Sequence, residues 1–222
     1  MAAELRADKS GLAREVQQKL TEKFDEVEAA KLLRWICLLK PPSNCPSQFI
    51  EAMQKIPPNI EQVSMDEFSK LLRDGLVLGF IMACLDPSSV AQMQKVQTWQ
   101  VSDKPVFETN RRRDRIGLFL RFSASFGVDS VFQFQTDQLY ENTNLTQVVV
   151  CLTHVGMEAQ AKPECNVPQG YWIQKHKENR RQFSEEQLRS GERIIGLQMG
   201  STAGANASGI TFGGRRHITD TF

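Results

Sequence analysis

No apolar run in this chain approaches the 18 residues that a membrane-crossing helix needs, so no span is expected. No apolar h-region of a secretion signal opens it either. The five cysteines (Cys37, Cys45, Cys84, Cys151, Cys165) are odd in number, scattered and never spaced C-x-x-C, which fits free thiols in a reducing compartment, the cytoplasm. Histidine is scarce, and His154, His176 and His217 lie too far apart for a local metal motif. There is no H-E-x-x-H, no G-x-S-x-G and no EF-hand loop. Gly200-S-T-A-Gly204 has glycines, but it lacks the preceding strand and the Lys-Ser/Thr of a nucleotide loop. Asp66-Glu67 and Glu185-Glu186 read as first-turn helix residues, where a negative charge suits the dipole, rather than as catalytic acids. No constellation therefore converges on an enzyme, and no cofactor, metal or small-molecule substrate is expected. A charge surplus is missing too. With 27 basic against 26 acidic residues the net charge is +1, so any basic surface must be local.

What remains is an ordinary globular composition, 41% hydrophobic and 24% charged, enough for one core and some tails. Its apolar residues recur at helical spacing. Leu12, Val16, Leu20, Phe24 and Val27 make one stripe behind a capping region at Ser10-Gly11. Ala30, Leu33, Trp35, Ile36 and Leu39 continue in a second run that Pro41-Pro42 stops. Residues 43–63 read as a proline-containing loop with one short helix around Phe49–Met53. Ser64-M-D-Glu67 has capping-box spacing and starts a short helix. Asp74-Gly75 then turns the chain into Leu76–Leu85, apolar almost all round and hence a buried central helix ended by Asp86-Pro87. Residues 88–105 look irregular. Arg111–Phe126 is a further helix ended by Gly127, and Leu145–Val155 a last buried one with Gly156 as its C-cap. No alternating strand pattern survives, so the fold class is all-α, with four principal helices and several short ones.

Beyond Gly156 the composition changes. Pro163, Pro168 and Gly170 mark a linker. Tyr171-Trp172-Ile173 then forms an aromatic anchor able to dock on the globular domain, ahead of the basic helix of Lys175, His176, Lys177, Arg180 and Arg181. Ser184-E-E-Gln187 is a second capping box, and its helix breaks at Ser190-Gly191. The run Ile194–Ile218 holds six glycines, each costing a helix about 1 kcal/mol against alanine, and too few apolar residues for a core. It reads as a peptide that orders on a partner, closed by Arg215-Arg216.

Two stretches carry a family resemblance. Phe68-S-K-L-L-R-D-Gly75 with its apolar helix, followed by Phe134-Q-T-D-Q-L-Y-E-N-T-N-L-T-Q-Val148, resembles a calponin-homology domain. Ile195-G-L-Q-M-G-S-T-A-G-A-N-A-S-G-I-Thr211 resembles a calponin-type repeat. The opening helix Arg14-E-V-Q-Q-K-Leu20 and the link from Trp172 to Gly200 are similar to the same family, and a single repeat favours its transgelin branch. The expected order is an N-terminal helical extension (1–24), a calponin-homology domain (25–157), a linker and basic helix (158–193), the repeat (194–218) and a tail (219–222). The chain departs from the family in four places. Thr202-Ala203 stands where the repeat usually has an asparagine and a basic residue, Asn142 where glycine is usual, and Gln138 where aspartate is common. Residues 43–63 look like an insertion longer than the family pattern.

The resemblance implies a cytoskeletal protein that decorates or crosslinks actin filaments, with the repeat and its basic approach carrying the contact. On this sequence those are Ile195, Gly196, Leu197, Gln198, Met199 and Gly200, with Lys175, Lys177, Arg180, Arg181, Arg215 and Arg216. Bundling needs a second contact. Arg111, Arg112, Arg113 and Arg115 are the candidate, because four arginines at a helix N-terminus oppose the macrodipole; the plainer reading is a solvated helix face. Ser184 follows arginines at three and four residues before it, which suits a basophilic kinase as well as a helix cap. The rival of another class is a signalling adaptor whose helical domain recruits a different protein. Nucleic-acid binding is disfavoured, since no aromatic residues interleave the basic runs and the chain has no overall positive charge.

Overall fold

The most apolar stretch of the chain, Leu76–Leu85, sits at the centre of the fold. In the computed structural model, which describes residues 11–174 and 183–193, all of this helix except Cys84 is buried. Expectations that fall on residues 1–10, 175–182 and 194–222 lie outside the described residues. The chain divides into two units, residues 1–176 and 177–222. In the first, the α-helices are α1 (Leu12–Glu22), α2 (Glu26–Leu38), α3 (Ser47–Gln54), α4 (Met65–Leu72), α5 (Leu76–Leu85), α6 (Val90–Lys95), α7 (Pro105–Phe126), α8 (Thr136–Tyr140) and α9 (Leu145–Ala161). In the second, α10 (Glu185–Arg193) is the described element. There is no strand among the described residues, and the all-α expectation holds.

The principal helices are α2, α5, α7 and α9. Helix α5 packs against α3 and α7, and α9 packs against α2, α7 and α8. Fully buried Trp35, Phe49, Phe68, Phe80 and Phe119 anchor the core, each contributing about 1.5–3 kcal/mol by leaving water. The local signals perform as read. Ser64 Oγ accepts the Glu67 N–H, and the Glu67 carboxylate accepts the Ser64 N–H, closing the capping box of α4. Gly127 ends α7 in the left-handed region at φ 113°. Asn142 adopts φ 57°, the conformation that asparagine tolerates next best to glycine.

Four readings need correction. The stripe from Leu12 to Val27 is not one helix face. The Asp25 carboxylate accepts the Val27 and Glu28 N–H groups and starts α2 afresh, so Leu12 is 75% exposed and Val27 51%. Residues 88–105 are not irregular: two 3₁₀ turns flank α6. Helix α7 begins at Pro105, six residues before Arg111, because a proline in the first helical position forfeits no hydrogen bond. Gly156 is no C-cap, since α9 runs through it to Ala161.

Candidate functional site

The earlier start of α7 changes the meaning of the arginine run. Arg111–Arg115 lies in the second and third turns of the helix, away from the macrodipole's positive end. Each guanidinium has an acceptor inside the domain. Arg111 Nη1 donates to the Gln100 carbonyl at 2.9 Å. Arg112 pairs with Glu108 at 3.4 Å. Arg113 pairs with Glu141 at 3.3 Å and stacks over Tyr140 at 4.6 Å, the same ring that Arg73 approaches at 5.0 Å. Arg115 is 0% exposed. It donates to the carbonyls of Thr98, Asp74 and Gln100 and to both Glu108 oxygens, the shortest at 2.7 Å to Thr98. Arg115 therefore offers no surface to a partner, and the possible second contact shrinks to Arg111, Arg112 and Arg113. Burial pushes the Glu108 carboxyl pKa up, but the Ser102 N–H and the Arg115 and Arg112 guanidiniums outweigh it and hold the pKa below the ordinary range.

The aromatic anchor docks as the sequence suggested. Trp172 is buried, edge-on to Trp35 at 5.9 Å. Gln160 on α9 clamps its backbone: the side-chain amide donates to the Trp172 carbonyl, and its oxygen accepts the Trp172 N–H, both at 3.0 Å. Tyr171 Oη donates to the Lys31 carbonyl at 2.7 Å, and Lys31 Nζ lies 5.2 Å from the Trp172 ring. The true role of Gly156 emerges here. A Cβ at that position would stand 2.3 Å from Trp172 Nε1, so the glycine is the notch that admits the indole. Ile173 is exposed. The clamp thus fixes the point on the first unit from which the basic segment departs.

In the second unit, Ser184 is exposed and closes a reciprocal cap with Gln187, its Oγ accepting the Gln187 N–H at 3.3 Å while Gln187 Oε1 accepts the Ser184 N–H at 3.1 Å. Lys175, Lys177, Arg180, Arg181, Ile195, Gly196, Leu197, Gln198, Met199, Gly200, Arg215 and Arg216 lie outside the described residues, as do His176 and His217. His154 is a packed helix residue, stacked on Phe132 at 3.6 Å. It borders a cleft of about 260 Å³ between the Lys23–Glu28 segment and α9, walled by Thr146, Val149, Val150 and Thr153. The cysteines are free. Burial pushes the Cys84 thiol up to about 12, with nearby Cys45 adding to it, and the Cys151 thiol up to about 11, so both stay protonated at neutral pH.

Sequence reasoning missed the exposed apolar edge ahead of the arginines. Val101, Val106 and Phe107 are all more than half exposed. A scattered V…VF, with Val101 in the segment 88–105 read as irregular and Val106-Phe107 just beyond it, gives no periodic signal, and only the proline at the helix start hinted at the turn that presents it.

The described helices lead through a clamped tryptophan toward a glycine-rich repeat in the sequence, and none of them is by itself long and apolar enough to cross a membrane. The family model of the calponin homology (CH) domain matches residues 49–161, just over half of the chain, and that of the calponin family repeat matches residues 195–218. The chain therefore belongs to the calponin-homology family, with the domain-then-repeat architecture of calponin and transgelin. The match also reaches into residues 43–63, the segment read above as longer than the family pattern. It begins within that segment at residue 49, where α3 sends Phe49 into the core, edge-on to Trp99 at 5.3 Å.

Proposed function

We propose that this protein is a non-enzymatic, cytoplasmic actin-filament binder of the transgelin type, whose calponin-homology domain carries and positions a C-terminal filament contact. The observation that carries the reading is the calponin repeat match at 195–218, C-terminal to the domain match at 49–161. Actin filaments are acidic, so Lys175, Lys177, Arg180 and Arg181 steer the encounter. Gly196 and Gly200, lacking side chains, let Ile195, Leu197, Gln198 and Met199 lie close on the filament, and Arg215 and Arg216 close the contact. Thr202-Ala203 removes a positive charge that the family's repeats usually carry, so the flanking basic residues supply the attraction. Fixing the segment costs about 1–2 kcal/mol per residue, which keeps single-site affinity modest and salt-sensitive.

Co-sedimentation with polymerised actin tests this. The full chain is expected to pellet with filaments, and a chain ending at Ser190 to lose most of that binding. Equal pelleting of the two would overturn the reading.

A further inference from the structure

We propose that Tyr140 is a phosphorylation site, the acceptor of a tyrosine kinase, and that Arg73 and Arg113 hold the phosphate it receives. The site lies wholly within the first unit and is independent of the filament reading above.

Arg73 is the residue that calls for an anion. It is the C-cap of α4, half-buried, and its Nε is buried without a hydrogen-bond partner. Among the described residues its guanidinium joins no ion pair. It lies instead 5.0 Å from the centre of the ring of Tyr140, the last residue of α8. A buried charged donor without an acceptor is costly, and a nearby anion relieves that cost. Arg113 comes from α7 to the same ring, 4.6 Å from its centre, and pairs with Glu141 at 3.3 Å. The ends of α4 and α8 and the third turn of α7 thus meet at one phenol.

The chain has two tyrosines. Tyr171 is committed, its hydroxyl donating to the Lys31 carbonyl at 2.7 Å. The Tyr140 hydroxyl makes no hydrogen bond among the described residues and is not one of the buried polar atoms that lack a partner, so solvent reaches it. In the transfer, the Tyr140 oxygen bonds to the γ-phosphorus of ATP, the bond from that phosphorus to the β-phosphate oxygen breaks, ADP leaves, and the hydroxyl proton passes to the kinase's base. The product carries about −1.5 to −2 charges and new acceptor oxygens. Glu141, beside Tyr140, and Asp137, one turn before it, oppose the new charge. Glu141 is already offset by Arg113, and Asp137 is exposed to screening solvent. Arg73 has no such offset, so attraction wins, and the phosphate ties α8 to α4 and α7 through charge-assisted hydrogen bonds.

The test uses the full chain, ATP and a soluble tyrosine kinase domain chosen because it phosphorylates the free peptide of residues 134–146. Mass spectrometry is expected to find phosphotyrosine at Tyr140, and none in Tyr140→Phe. Phosphorylation should raise the thermal midpoint by about 2–4 °C. That increment should fall to about half or less in Arg73→Gln and in Arg113→Gln. Each variant is compared with its own unphosphorylated form, so a purely structural loss from the substitution cancels. A folded chain that stays unmodified at Tyr140, or is modified at Tyr171 instead, overturns the proposal. So does a thermal midpoint that stays level or falls on phosphorylation, and so does an increment that survives intact in both arginine variants.

Discussion

Arg115 has five N–H donors, and each meets an acceptor in the Asp74, Thr98, Gln100 and Glu108 set. Its chain also occupies the space above Gly75, where an added Cβ would stand 2.6 Å from Arg115 Cβ. With φ at 75°, that glycine serves both the Asp74-Gly75 turn and the close approach. Lysine cannot reproduce a planar five-donor fork. Arg115→Lys is therefore expected to cost about 3–5 kcal/mol, because it leaves buried carbonyls and Glu108 without partners; chemical denaturation measures it. The pH dependence follows from Glu108, whose folded pKa lies below its ordinary 4.5. A depressed carboxyl pKa gives stability that is present above the unfolded value and lost as pH falls through the folded one. Asp74 titrates in the opposite sense, its pKa raised by burial, so the comparison that isolates Glu108 is with Glu108→Gln. The wild type should lose stability below pH 4.5 more steeply than that variant.

Helix α9 shows how one element can be right in outline and wrong in function when read from sequence. Its buried face, with Val148, Leu152 and Val155, follows from spacing alone. Gly156 looked like a terminator because glycine commonly ends helices, yet it serves as a notch for a tryptophan sixteen residues on. Nothing local distinguishes those roles, since both need only the absence of a Cβ. Gly156→Ala is expected to destabilise the domain by about 1–3 kcal/mol through overpacking and to loosen the clamp. Hydrogen exchange at the Trp172 amide, bonded to Gln160 Oε1, should accelerate more than exchange of the amides in buried α5, which follows only the loss of global stability. Unaltered protection at Trp172 would refute the notch. The misplaced start of α7 has the same kind of cause. Pro105 was taken as loop, whereas the first turn of a helix accepts proline without loss, and the capping box of α4 succeeded because both of its partners lie within three residues.

Across the whole molecule, a net charge of +1 conceals local surfaces of opposite use. The basic segment 175–181 stands next to Ser184, an exposed hydroxyl that already caps α10 through Gln187. A phosphate there would add about −1.5 to −2 charges beside the steering residues. Ser184→Asp is therefore expected to weaken filament binding, by about twofold to tenfold at low salt and less as salt rises. Co-sedimentation across a salt series checks it, and wild-type behaviour at every salt would count against the idea. Alanine at 184 separates charge from capping, because it removes the hydroxyl without adding a negative group.

The order of the principal helices, the apolar centre at Leu76–Leu85 and the family likeness could all be read from the chain, because each depends on residues a few positions apart. The repeat was equally legible, being a local signature. What only the tertiary structure decided is which basic and apolar residues face outward. The arginine run looked like one surface feature, yet Arg115 lies fully buried beneath it, and the exposed apolar edge lies a turn earlier at Val106 and Phe107. Burial of a charge is settled by acceptors that converge from distant positions, here Asp74, Thr98, Gln100 and Glu108, and no spacing rule along the chain contains that convergence.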